Sequence, residues 1–143
     1  MGGESVNLYI DCEWNSFGGE LISMAICSEC GLEFYEVLHC NDPHPWVAEN
    51  VIPVLDKDPV PKVILQTMLE DFLHQFESVH VVADWPEDIA HFMNTLITGP
   101  GERLRTPPLT AEVMRIDAAS EVPHNALYDA RAIRKHCTEN SER

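Results

Sequence analysis

Two carboxylates, Asp11 and Glu13, stand two residues apart in the run Tyr9-Ile10-Asp11-Cys12-Glu13-Trp14. Side chains alternate along a strand, so this spacing puts both acids on one face and turns Cys12 to the other. Asp11 directly follows the apolar Leu8-Tyr9-Ile10, which sets it at the rim of a core. Two acids held there repel, and each raises the other's pKa unless a cation intervenes. A hard divalent ion resolves the conflict, because Mg²⁺ takes oxygen ligands and keeps several waters for a substrate. The competing fate is the ordinary one for charged residues, a solvated strand end.

More acids fall where strands should end and helices begin. Asp84, Glu87 and Asp88 lie between a predicted strand and helix, and Asp117 follows the last predicted strand. Asp84-Trp85-Pro86-Glu87 fits a capping box. Asp84 would cap the helix, Pro86 would sit in its first turn, and Glu87 would reach back. That leaves Asp88, one turn in, as a dipole-favoured acid or a functional one. Asp129 falls in the second turn of the last predicted helix, flanked at helical spacing by Ala126, Ala130 and Ile133, so its side of the helix is partly covered. His124 precedes it by five residues, about 140° away on a continuous helix. Placed in the loop before the helix, after Pro123, it can swing over the acids.

The elements that must position these groups read as α/β. Val6 to Cys12, Leu21 to Cys27 and Leu32 to Leu38 have strand patterning, with turns at Asn15 to Gly19 and at Ser28 to Gly31. Three strands with short loops make an antiparallel meander. A short helix is expected around Trp46 to Val51. Pro61 to Phe76 is the clearest helix, with Ile64, Leu65, Met68, Leu69, Phe72, Leu73 and Phe76 at helical spacing. A buried strand Val79 to Ala83, a helix Pro86 to Ile97, a Gly/Pro-rich loop Thr98 to Pro108, a strand Leu109 to Ile116 and a helix Asn125 to Thr138 complete the chain. The order predicts a mixed sheet, antiparallel first and parallel after, flanked by helices. Such sheets carry their chemistry beyond the strand ends.

Bulk properties narrow the class. The 143 residues suit one domain, 1–143. No apolar run approaches the roughly 18 residues of a membrane helix, and MGGESV does not read as a signal peptide. A cytoplasmic protein with reduced thiols is therefore expected. The five cysteines are irregularly spaced; Cys27-Ser28-Glu29-Cys30 is a lone CxxC, read as a hairpin turn closed by Gly31 rather than a zinc knuckle. A net charge of −15 argues against a long basic nucleic-acid groove, yet is compatible with phosphate binding through metal ions.

Asp11-Cys12-Glu13, then Asp88 near a helix start, then His124-Asn125-Ala126-Leu127-Tyr128-Asp129-Ala130 together resemble the DEDDh exonucleases of the RNase H-like superfamily. That family carries D-x-E on the first strand, an Asp shortly past the fourth, and H-x-x-x-x-D at the last helix. The order and spacing run from Tyr9 to about His136. The second motif departs from the common form, because Asp84 stands where many relatives have Asn. The metal role is carried to Asp88, with Asp84 as its rival. The short chain looks most like the small stand-alone exoribonucleases, including those that trim polyadenylate tails.

The resemblance implies 3′–5′ hydrolysis of single-stranded RNA to nucleoside 5′-monophosphates by a two-metal mechanism. Asp11 would bridge two Mg²⁺ or Mn²⁺ ions. Glu13 and Asp129 would complete the site of the metal that binds the attacking water, and Asp88 would hold the second. His124 would be the general base. Trp14, Phe17 and Trp85 are candidate stacking surfaces for a terminal base, or simply packing residues. Arg103 and Arg105 form one of few basic spots, and a homodimer, common among small members, would lend basic residues across its interface. The competing readings are a 3′–5′ DNA exonuclease of proofreading type, a catalytically silent nucleic-acid-binding domain of the same fold, and an acidic scaffold whose carboxylates serve only solubility.

Overall fold

A computed structural model describes residues 5–116 and 120–141. Asp117 lies outside the described residues. The first three strands, β1 (Val6–Trp14), β2 (Leu21–Ser28) and β3 (Glu33–Val37), form the expected antiparallel meander. The turn between β2 and β3 closes at Gly31, whose φ of 96° is one that L side chains rarely adopt. A short helix α1 (Pro45–Asn50) and a 3-10 turn (Ile52–Val54) lead to α2 (Lys62–Leu73). Then come β4 (Val79–Ala83), α3 (Pro86–Thr95), a small hairpin of β5 (Ile97–Gly99) and β6 (Glu102–Arg103), β7 (Leu109–Val113) and α4 (Ala126–Ser141).

The main sheet has the order β3-β2-β1-β4-β7. β4 runs parallel to β1, and β7 runs parallel to β4. The sheet is therefore mixed, and β1 lies at its centre. One face carries Leu8, Ile10, Met24 and Ile26 against Leu65, Leu69 and Leu73 of α2 and Phe92 of α3. The other face packs against α4 through Ala25, Ala126 and Ala130, with Tyr9, Val82 and Ile133 alongside. Alanines at that contact have no bulk beyond Cβ, which lets α4 come close to β1 and β2. No helix among the described residues is long and apolar enough to cross a membrane.

Three expectations need correction. The stripe of α2 is narrower than its apolar residues imply: Leu65, Leu69, Phe72 and Leu73 are buried, whereas Ile64 and Met68 are exposed. Each sits one residue, about 100° around the helix, from its buried neighbour. The stretch Thr98 to Pro108 is not all loop, because residues 97–103 fold back as the β5–β6 hairpin, turning at Gly101 with φ 68°. The capping box at Asp84 is absent. The residue before the helix is Trp85, extended at φ −141° and ψ 139°, and no side chain caps α3. Pro86 explains this, since it disfavours the helical region for the residue before it.

Candidate active site

The parallel register of β1 on β4 pairs Tyr9 with Val82. Two residues further along, Asp11, still within β1 and paired with β2, comes together with Asp84, which lies just past the end of β4. Asp88, in the first turn of α3, turns back toward the same point and is 2 % exposed. One of its carboxylate oxygens accepts the backbone N–H of Cys12 at 2.9 Å, which ties α3 to the middle of the D-x-E run. On the other side α4 brings Asp129 to Glu13. The pairing of β1 with β2 is irregular between Glu13 and Trp14, a local break of the kind often found beside active sites.

These placements yield two carboxylate triads with one shared member. One oxygen from each of Asp11, Asp84 and Asp88 lies within 4.8 Å of the others, and the same holds for Asp11, Glu13 and Asp129. Each triad mixes acids from residues far apart in sequence, so the fold assembles them. Asp84 and Asp88 both reach Asp11.

The electrostatics of the cluster are unfavourable in the bare protein. Burial holds the Asp11 carboxyl well above its usual range, and the charges of Asp88, Glu13, Asp129 and Asp84 push it the same way. Burial, with Asp129 next, pushes Glu13 up to about 9. Asp88 is pushed up to about 8, again first by burial, with the Cys12 N–H opposing. Burial also raises Asp129, against hydrogen bonds from its neighbours and the nearby His124. Asp11 Oδ2 is buried with no hydrogen-bond partner. Ser23 Oγ, on the β2 residue opposite Glu13, is likewise buried and unpartnered. A buried, unpartnered carboxylate oxygen among like charges is costly unless an ion or proton meets it. The donors are all oxygens, which suits Mg²⁺ or Mn²⁺ and not a thiolate-seeking metal. Each triad therefore fits a hard divalent ion, and Asp11 belongs to both triads.

His124 lies in the turn before α4, as its position ahead of the helix requires. It has φ 71°, a left-handed value uncommon outside glycine, and its ring meets Trp46 of α1 edge-on at 5.0 Å between centroids. The neighbouring Asn125 fixes this geometry. Its Oδ1 accepts the N–H groups of Leu127 at 3.0 Å and Tyr128 at 3.2 Å, capping α4, while its Nδ2 donates to the Val54 carbonyl at 2.7 Å. Asn125 is 2 % exposed and links the 3-10 turn to the start of the helix that carries Asp129. Asn125→Ala is expected to cost about 1–2 kcal/mol through the lost cap, a fall in Tm of about 4–8 °C. Thermal denaturation checks this, and an unchanged Tm would contradict it.

A cavity of about 380 Å³ opens beside the carboxylates, lined by Glu13, Trp14, Phe17, His44, Trp46 and Glu87. Trp14 and Phe17, singled out from the sequence, are thus brought together with Glu13, and Phe17 is almost fully exposed. Trp85 is not part of that lining; it is half-exposed and donates through Nε1 to Glu87 at 3.2 Å. Sequence reasoning missed His91, whose ring stacks on Trp14 at 5.2 Å and 29°. The available signal was its position on α3 three residues past Asp88, hence on nearly the same helix face. It also missed Asn125 as a cap, although Asn before a helical pattern is a start signal.

No protein-family model matches this chain, and no curated protein matches it.

Proposed function

We propose that this protein is a metal-dependent 3′–5′ exoribonuclease of the DEDDh type, with an RNase H-like fold, acting on the 3′ ends of single-stranded RNA. The observation that carries the reading is the sharing of Asp11 between two carboxylate triads. A single structural cation would need only one triad. Two ions bound there would polarise the phosphodiester and stabilise the attacking and leaving oxygens of an in-line displacement.

The chain's own residues supply the rest. Asp11, Glu13, Asp129, Asp88 and Asp84 provide the oxygen ligands, and Asp88 is held in place by the Cys12 N–H. His124 takes the proton of the attacking water on a ring nitrogen, while its edge contact with Trp46 orients the imidazole. Trp14 and Phe17 offer aromatic surface to the terminal base in the cavity beside Glu13. Water attacks phosphorus, the P–O bond to the 3′ oxygen of the preceding ribose breaks, that oxygen takes up a proton to become a 3′ hydroxyl, and the terminal nucleotide departs as its 5′-monophosphate.

The test uses matched RNA and DNA oligonucleotides labelled at the 5′ end. With Mn²⁺ the RNA is expected to shorten one nucleotide at a time from its 3′ end, with nucleoside 5′-monophosphates as the other product. Equal or faster loss of the DNA would replace the RNA assignment with a DNA exonuclease. No metal-dependent shortening of either would leave a silent nucleic-acid-binding domain.

A further inference from the structure

We propose that a second groove, separated from the catalytic cavity by the Trp14–His91 stack, binds the phosphate backbone upstream of the scissile bond and favours RNA several nucleotides long. The inference rests on the nuclease reading above. The groove has a volume of about 700 Å³ and lies between the start of β2, the end of β3, the start of α2 and the end of α3. That is room for a nucleotide. His91 lines it, and Trp14, stacked on His91, lines the cavity that contains Glu13. One aromatic pair therefore forms the wall between the two spaces. A strand with its 3′ nucleotide at the carboxylates passes over that wall, where the rings offer stacking surface.

The groove holds one of the chain's few cations. The chain has nine Lys and Arg against 24 Asp and Glu. Several cations are engaged: Lys57 pairs with Glu36, Arg131 with Glu33, and Arg134 donates to the Ser28 and Glu29 carbonyls. Lys62 is one of several cations with no ion-pair partner among the described residues, and it lines this groove together with His39, His91 and Asn94. Glu20 is the only carboxylate in the lining. A free ammonium flanked by imidazole and amide donors next to an acidic centre is the arrangement a phosphodiester would need here. Phosphate contacts of this kind hold a strand without reading its sequence.

Lys62→Glu tests this without endangering the fold, because Lys62 is exposed at the first residue of α2, where an acid favours the helix. Hydrolysis of a hexanucleotide and a dinucleotide RNA is compared in Mn²⁺ across a salt series. The expected result is a fall of about tenfold in kcat/KM for the hexamer, with the dimer changed less than twofold. Binding of a labelled hexamer to Asp11→Asn chains with and without Lys62→Glu is followed in parallel. There the slope of log K against log salt should shrink by about 0.7, the value for one phosphate contact on a single strand. Hexamer hydrolysis or binding indifferent to Lys62→Glu would overturn the proposal while leaving the nuclease reading intact. Absence of turnover on both RNAs would overturn the nuclease reading, and the binding arm then decides the groove by the same criterion.

Discussion

Asp11→Asn is expected to abolish metal-dependent RNA shortening, with a loss on the order of 10³-fold or more, as befits a transition-state interaction of several kcal/mol. The size follows from position, since Asp11 is the only residue common to both triads. Its replacement would weaken both proposed ion sites at once, whereas loss of any other acid would weaken one. Asp88→Asn should therefore cost less than Asp11→Asn. Asp84→Asn should cost less again, because Asp84 is partly exposed while Asp88 is buried and held by the Cys12 N–H. Asp11→Asn should also lessen the fall in metal-free Tm as pH rises, because an amide, unlike a carboxyl whose folded-state pKa is raised, has no proton to lose. The measurement is kcat on a labelled oligonucleotide beside a metal-free melting curve. Activity within tenfold of the parent would place the chemistry elsewhere.

The second large effect is on stability. Glu13 and Asp88, pushed up to about 9 and about 8, and Asp11, also raised, keep protons in the metal-free folded chain that the unfolded chain releases near pH 4. Between those limits the folded state binds more protons than the unfolded one. Stability is full below pH 4 for these groups and is lost as pH rises through 8 to 9. Glu33 is lowered by Arg131 and acts in the opposite sense, but only below its ordinary value of 4.5. Metal-free Tm should therefore fall from pH 5 to pH 8, by about 4 °C for each kcal/mol lost. Saturating Mn²⁺ competes with those protons, so its stabilisation should grow with pH over the same interval. A metal-induced shift in Tm that is flat or shrinks from pH 5 to pH 8 would contradict the buried-carboxylate site.

The sheet was legible because its strands carry the ordinary signals. Leu8-Tyr9-Ile10 and Val79 to Ala83 are apolar runs that both faces of the sheet cover, and the turn at Gly31 is marked by glycine. The acids of the candidate site were legible at the end of β1 and in the first turns of the helices that became α3 and α4. Their grouping was legible only through the family resemblance and not from the residue pattern itself, because it depends on the β1–β4 register and the approach of α3 to β1. The same reason hid the Trp14–His91 stack and the double reach of Asp84 and Asp88 to Asp11. Strands β5 and β6, with three and two residues, are too short to establish a period. Asp84, Pro86 and Glu87 match the residue types of a capped helix start, but the constraint that Pro86 places on Trp85 overrides them. Asn125 does the capping that Asp84 does not, and it does so at the helix that carries Asp129.

The central claim is a two-cation centre hinged on Asp11, and calorimetric titration of Mn²⁺ into the metal-free chain tests it most directly. Saturable binding of two ions per chain is predicted, accompanied by proton release at pH 7, with both sites weakened in Asp11→Asn. No saturable binding, or binding that Asp11→Asn leaves unchanged, would contradict it.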